Sequence, residues 1–153
     1  MMLVREQLAR FIQSEGHRVE LTFLDEDGRD AELLFRTRGY IVSVSVREGD
    51  APHFAVTTGY EIPPWSRERG QNATTLQDIA RDAGEVTFTL APNGKSFLVT
   101  LESDASLEAF QRDFWQIVTK VREAGGAALE RILDRTESRA AANKFIKSLL
   151  RGD

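Results

Sequence analysis

The sequence predicts an α+β fold in which helices pack on one face of an antiparallel sheet of about five to six strands. Apolar residues recur at helical spacing at both ends of the chain, and patterns of period two fill most of the middle. Short turns join the alternating stretches. Because alternation makes one sheet face apolar and the other polar, all helices are expected on the apolar face, in a two-layer sandwich.

The N-terminal part predicts one helix followed by four strands in meander order. The apolar positions of the helix are Val4, Leu8, Phe11 and Ile12. Gly16 follows where a left-handed residue commonly ends a helix. Alternation of apolar and polar residues then predicts strands over 19–23, 32–36, 40–46 and 54–62.

The segment 63–74 is rich in Pro, Arg, Gly and Asn and has no period, which predicts an exposed loop. A short middle helix is predicted after it. Thr74 or Thr75 would open this helix with a capping box, and Gly84 would close it.

A hairpin and a long C-terminal helical stretch complete the pattern. The hairpin strands are expected over 86–90 and 97–101, joined by a turn that contains an Asn-Gly pair. The helical stretch 106–150 is expected to be interrupted at Gly125-Gly126. Residues 1–153 would then form one domain, with 127–150 as a C-terminal helical extension.

The long stretch has more apolar surface than a small domain usually needs. Its apolar positions are Leu107, Phe110, Phe114, Ile117, Val118, Val121, Leu129, Ile132, Leu133, Ala142, Phe145, Ile146 and Leu149. The excess indicates a partner, so Phe145, Ile146 and Leu149 are candidate interaction residues in a homodimer or with a client protein. Trp115 lies at the edge of these apolar positions. It is therefore either a partly buried flank of the core or a contact residue for a subunit or client.

Composition excludes several classes of function. The chain has no cysteine, so it forms no disulfide and no sulfur-ligated metal site, which is compatible with a cytoplasmic location. Because the net charge is -4, we do not expect the chain to bind nucleic acid directly. The N-terminal residues lack the uninterrupted apolar core of a signal peptide, and no run is long enough to span a membrane.

Few residues suggest catalysis. His17 and His53 are the only histidines, and neither has a partner at the spacing of a helical metal site. The run Asp25-Glu26-Asp27-Gly28 departs from a calcium loop and is interpreted as a hairpin turn. No nucleophile elbow, phosphate-binding loop or dinucleotide fingerprint occurs. We therefore expect no catalytic residue, no cofactor and no metal.

Trp65, Arg67 and Arg69 form a local patch in the segment 63–74. An exposed aromatic beside cations binds single-stranded nucleic acid by stacking, and the same pairing occurs at protein interfaces. The alternative is a tryptophan that folds back onto the sheet edge. The three residues are therefore candidate interaction residues.

The order of elements is similar to the type III secretion chaperone-like fold, which includes the YbjN-type proteins. The similarity covers about Leu3 to Val121 and includes the strand that ends in Tyr60-Glu61-Ile62-Pro63 before the middle helix. The chain has one more N-terminal strand than that pattern, and 127–150 extends beyond it. The resemblance implies a homodimer that binds other proteins without catalysis or a cofactor.

The leading hypothesis is therefore a non-enzymatic, homodimeric protein-interaction module that acts as an adaptor or chaperone. One alternative is a carrier of hydrophobic ligands of the helix-grip type, in which a curved sheet wraps the long helix and leaves a cavity. Another is an accessory protein to a nucleic-acid-processing partner, acting through Trp65, Arg67 and Arg69.

Overall fold

The computed structural model describes residues 2–151 and has the predicted α+β architecture. The helices are α1 (Val4–Ser14), α2 (Arg69–Ala83) and α3 (Leu107–Arg151), and a short 3-10 helix spans Pro64–Ser66. The strands are β1 (Glu20–Phe23), β2 (Asp30–Thr37), β3 (Tyr40–Arg47), β4 (His53–Glu61), β5 (Thr87–Leu90) and β6 (Ser96–Ser103).

All six strands form one antiparallel sheet in the order β1-β2-β3-β4-β6-β5. The register places inward-facing residues opposite one another, as in the pairs Val44 with Val56 and Tyr60 with Phe97. Burial alternates along β2, β3 and β4 as the sequence pattern predicted. One face of the sheet is therefore the core face, and the opposite face is open.

The long helix α3 fills the space above the core face with aromatic side chains. The Phe110 ring stacks on Phe54, with centroids 4.1 Å apart and planes inclined by 4°. Phe114 meets Phe11 of α1 edge to face at 5.8 Å. Because this layer is continuous from β4 to α1, the helices and the sheet form the predicted two-layer sandwich around one core.

The predicted interruption of the long helix is wrong, since α3 continues without a break through Gly125 and Gly126. Tyr60 of β4 explains the first glycine: a Cβ atom at residue 125 would overlap Cε2 of the Tyr60 ring and lie 2.6 Å from Cζ. The hydroxyl of Tyr60 also donates a hydrogen bond of 2.7 Å to the carbonyl of Arg122. Gly125 therefore allows a close approach of helix and sheet and does not end the helix.

The predicted loop over 63–74 is also wrong in its second half, because α2 already begins at Arg69. Its N-cap is Glu68, whose carboxylate accepts a 2.6 Å hydrogen bond from the backbone N–H of Gln71. Thr74 and Thr75 therefore do not cap the helix; their hydroxyls donate to carbonyls one turn earlier. The predicted left-handed cap at the other end of α2, Gly84, is present, with a φ of 69°.

The two adjacent glycines of α3 provide a matched test of this packing. Gly125→Ala is expected to lower the free energy of unfolding by about 1–3 kcal/mol, because the new methyl group overlaps the Tyr60 ring. Gly126 has no atom within 4 Å of a built Cβ, so Gly126→Ala should raise it by about 0.5–1 kcal/mol through helix propensity. Urea unfolding followed by circular dichroism measures both; equal effects would contradict the Tyr60 contact.

Candidate protein-interaction surfaces

The predicted extension over 127–150 divides into a packed part and an exposed part. Ala128 and Ile132 are fully buried in the core. Beyond the packed part, residues 139–151 form the last turns of α3, which we call the tail. The side chains of the tail that are described are exposed, apart from the half-buried Ser148.

The tail presents a stripe of apolar side chains. Their exposed fractions are 65% for Phe145, 52% for Ile146, 63% for Leu149 and 83% for Leu150. Residues three and four positions apart lie on the same side of a helix, so these side chains form one strip. An apolar strip of this kind on the end of a helix is typical of a protein contact.

Arg135 fixes the direction in which the tail leaves the domain. Its guanidinium donates to the carbonyl of Gln71, to the hydroxyl of Thr75 and to the amide oxygen of Asn72, all on α2. Asn72 is fully buried and donates in turn to the carbonyl of Ser66, at 2.7 Å. Burial lowers the pKa of the Arg135 guanidinium from its usual value, so the neutral oxygens of α2 solvate a partly buried cation.

Of the predicted patch of Trp65, Arg67 and Arg69, the tryptophan lies on the surface, whereas the two arginines contact other residues of the chain. Trp65 lies in the 3-10 helix and is 74% exposed, so it does not fold back onto the sheet. Arg67 is occupied within the chain: its Nε donates to the carbonyl of Ile62 at 2.7 Å, and a guanidinium nitrogen lies 3.5 Å from the Glu61 carboxylate. The aliphatic part of Arg69 packs against Gly94.

Trp115 occupies the flank of the core. Its ring centroid lies 4.9 Å from that of Phe114, 5.1 Å from that of His17 and 5.9 Å from that of Phe35. The indole is half-buried, so the structure places it in the first of its two predicted environments. A contact between Trp115 and a partner stays a prediction.

The two histidines have separate environments. Nδ1 of His53 lies 2.6 Å from the Asp104 carboxylate, and its Nε2 lies 3.5 Å from Glu102. The hydrogen bond with Asp104 raises the pKa of the His53 imidazole above its usual value. His17 contacts the carbonyl of Arg36 at 3.0 Å. Among residues 2–151, no group of His, Asp and Glu has the arrangement of a metal site.

A groove on the open face of the sheet was not predicted from the sequence. It has a volume of about 650 Å³ and crosses β3 and β4. Small side chains form its floor, among them Ser43 opposite Thr57, while Ile41 and Leu98 rise at its rim with about half of their surface exposed. The signal in the sequence was the run of small residues at outward positions of two central strands.

Comparisons with known proteins support the fold. The structure is similar to that of an uncharacterized protein from Methanothermobacter thermautotrophicus, with a TM-score of 0.60 and 16% identity, over 88% of this chain and 99% of the other. It is also similar to YbjN from E. coli, provisionally assigned as a transcription regulator, with a TM-score of 0.53 and 14% identity, over 93% of this chain and 97% of the other.

The chain therefore has a YbjN-like fold. No family model matches the sequence, and no curated protein does. Within residues 2–151, no helix has the length and apolar character needed to cross a membrane.

The Arg135 contacts generate a prediction about stability. Arg135→Met should lower the free energy of unfolding by about 1–3 kcal/mol, because it leaves the buried amide oxygen of Asn72 without this donor. Arg131→Met is the matched control, since Arg131 lies one turn earlier on α3 and is exposed. Its effect should stay within about 0.5 kcal/mol. If urea unfolding gives equal values for both variants, the α2 contacts do not hold the helix.

Proposed function

We propose that this chain is a non-enzymatic protein-interaction module that works as a homodimer in the cytoplasm and binds a client protein. The proposal depends on one observation above all: the exposed strip of Phe145, Ile146, Leu149 and Leu150 at the end of α3. Full burial of one such side chain is worth about 1.5–3 kcal/mol, which favours a partner that covers the strip.

The side chains that carry chemistry agree with a binding role. The guanidinium of Arg135 donates to oxygens of Gln71, Thr75 and Asn72 on α2, and these contacts serve packing. The described hydrogen-bond and ion-pair partners of His53 are the carboxylates of Asp104 and Glu102, at the end of the sheet. Tyr60 is bonded to the backbone of α3. These roles are structural, so we assign the molecule no reaction, no cofactor and no metal.

The open-face groove is the surface that we propose for the client. It combines exposed apolar rims at Ile41 and Leu98 with the hydroxyl groups of Ser43 and Thr57 on its floor. An extended peptide would place apolar side chains against the rims and polar groups over the hydroxyls. This surface and the tail are separate, which is what an adaptor with a subunit contact and a client contact requires.

The ligand-carrier alternative receives less support. A helix-grip carrier needs a cavity between the long helix and the sheet. Here the stacked pair of Phe54 and Phe110 occupies that space, and Tyr60 lies directly against α3 at Gly125. The side chains of the core itself therefore fill the region in which a ligand would have to lie.

A role beside nucleic acid is the second candidate, and one observation favours it: Trp65 is 74% exposed on the surface. YbjN, which has a similar fold, carries a provisional assignment as a transcription regulator. Against direct binding, Arg67 is engaged by Glu61 and by the backbone, and the net charge of -4 repels phosphate. A regulator of this kind would act through a protein partner.

Dimerisation is the first test. Light scattering at micromolar concentration should give about twice the chain mass of 17.2 kDa, because two tails provide apolar area for a subunit interface. The double variant Phe145→Gln with Leu149→Gln should scatter as a monomer, since glutamine keeps helix propensity and removes apolar surface. Ser148→Ala, on the other side of the tail, is the control and should remain dimeric. A monomeric wild type would contradict the homodimer.

Nucleic-acid binding is the second test. Fluorescence anisotropy with a labelled single-stranded oligonucleotide at about 150 mM salt should show no saturable binding below about 10 µM, weaker than a typical specific site. Sub-micromolar binding that Trp65→Ala abolishes would favour the nucleic-acid candidate, because loss of one stacking contact costs about 1–3 kcal/mol. Arg81→Ala, on the exposed side of α2, is the control for an alanine substitution elsewhere on the surface and should leave any such binding largely unchanged.

A further inference from the structure

The apolar strip of the tail lies on the side of α3 that faces the rest of the molecule, residues 2–138, which we call the body. An α-helix has 3.6 residues per turn, so two residues eighteen positions apart point in the same direction from its axis. Leu150 follows the fully buried Ile132 by eighteen residues. Ile146 follows the fully buried Ala128 by the same number. The strip therefore continues the core side of α3 beyond the elements that cover it.

The lysines of the tail lie away from the strip. Between residues 139 and 150 the sequence contains three basic residues, Arg139, Lys144 and Lys147, and no acidic residue. All three side chains are exposed. With a rotation of about 100° per residue, Lys144 and Lys147 project from the opposite side of the helix. They would therefore stay in water if a second tail covered the strip, and two basic tails can meet without burying these charges.

A parallel pair of tails would bring a second α3 into space that the body already fills. Packed helices lie about 8–10 Å apart, so the partner's helix would run back beside the core side of α3. On that side, the Phe110 ring stacks on Phe54 of β4, and Arg135 donates to three residues of α2. An antiparallel partner instead leads away from the body. The two tails can therefore meet strip to strip only if they run in opposite directions.

Arg139 gives a second reason for this direction. It precedes Leu150 by eleven residues, close to three full turns, so it projects from the strip side of the helix at the start of the tail. In a parallel pair, the two copies of Arg139 would face each other within the contact. In an antiparallel pair they lie at its two ends, roughly 20 Å apart, where their repulsion is largely screened.

Two strips provide enough apolar area for a specific interface of modest size. The exposed fractions of Phe145, Ile146, Leu149 and Leu150 correspond to roughly 500 Å² on each tail, so a pair buries roughly 1,000 Å². Specific interfaces begin at about this size. A dissociation constant in the micromolar range is therefore expected.

We propose that the tails of two copies pack strip to strip in antiparallel orientation, about a two-fold axis that passes near Ile146. The inference rests on the proposed homodimer and states which surfaces meet and in which direction. The two bodies then lie at opposite ends of the paired tails. Because each strip contacts the same strip of the other copy, the contact is closed at two molecules.

Distances between spin labels test the direction of pairing, since the natural chain contains no cysteine. Lys147→Cys and Arg131→Cys each place one nitroxide on an exposed position of α3, outside the strip. In an antiparallel pair, each residue of displacement from the two-fold axis adds roughly 3 Å to the separation. Double electron–electron resonance should therefore give about 20–30 Å for Lys147→Cys and about 40–55 Å for Arg131→Cys. Because each chain carries one label, every distance is between copies.

The outcomes separate the inference from the homodimer itself. Similar short distances at both positions would show parallel tails and would overturn the proposal, while the homodimer would stand. A monomeric wild type would overturn both. If Phe145→Gln with Leu149→Gln remained dimeric, the subunit contact would lie elsewhere and the strip-to-strip pairing would be wrong. Circular dichroism and light scattering of each labelled variant must match those of the wild type.

Disulfide formation gives an independent test with a matched pair of variants. Ile146→Cys lies near the proposed axis and should form a covalent dimer under mild oxidation, seen on a non-reducing gel. Arg139→Cys lies on the same side of the helix, but its two copies are roughly 20 Å apart in the antiparallel pair, too far for a disulfide. Efficient self-coupling of Arg139→Cys would contradict the antiparallel direction. Absence of coupling in a dimeric Ile146→Cys would contradict the contact between strips.

Discussion

The contact between the Tyr60 ring and the backbone of α3 at Gly125 determines how the long helix lies on the sheet. Tyr60 also stacks on Phe97, with centroids 5.4 Å apart, and its hydroxyl is bonded to the carbonyl of Arg122. The helix is therefore held at one height above β4 and β6. Because α3 is continuous from Leu107 to Arg151, fixing it at Gly125 and at Arg135 also fixes the direction of the tail. A helical extension that is already formed loses less backbone conformational entropy on binding than an unfolded segment would.

The fold was largely predictable because alternation and helical spacing are local signals of burial. The strands, the central turns and the capping glycine Gly84 follow from residues within a few positions of one another. The two errors concern tertiary contacts. The glycine pair has a low helix propensity, but its first member is required by Tyr60, which is 65 residues away. In α2, the buried Asn72 and its bonds to Ser66 and Arg135 stabilise a helix start that propensity alone would not predict.

The candidate sites were less predictable, since exposure depends on what the rest of the chain covers. Periodicity identified Phe145, Ile146 and Leu149 as apolar, and their exposure follows only from where the packing of α3 on α2 ends. Trp65 and Arg67 are two residues apart in sequence, yet Glu61 and the carbonyl of Ile62 occupy the arginine while the indole stays on the surface. Leu21 and Phe23 matched an ordinary buried strand, and only the extent of the helix layer shows that they are uncovered.

Two apolar surfaces remain uncovered at separate places on the described part of the chain, one on β1 and one on the tail. The sheet has a strand without a helix over it, and α3 ends in helical turns without a sheet beneath them. They are far apart on one chain, because α3 continues without a break from the core to the end of the tail. The homodimer proposed above would use the tail and leave the open face between β3 and β4 accessible to a different partner.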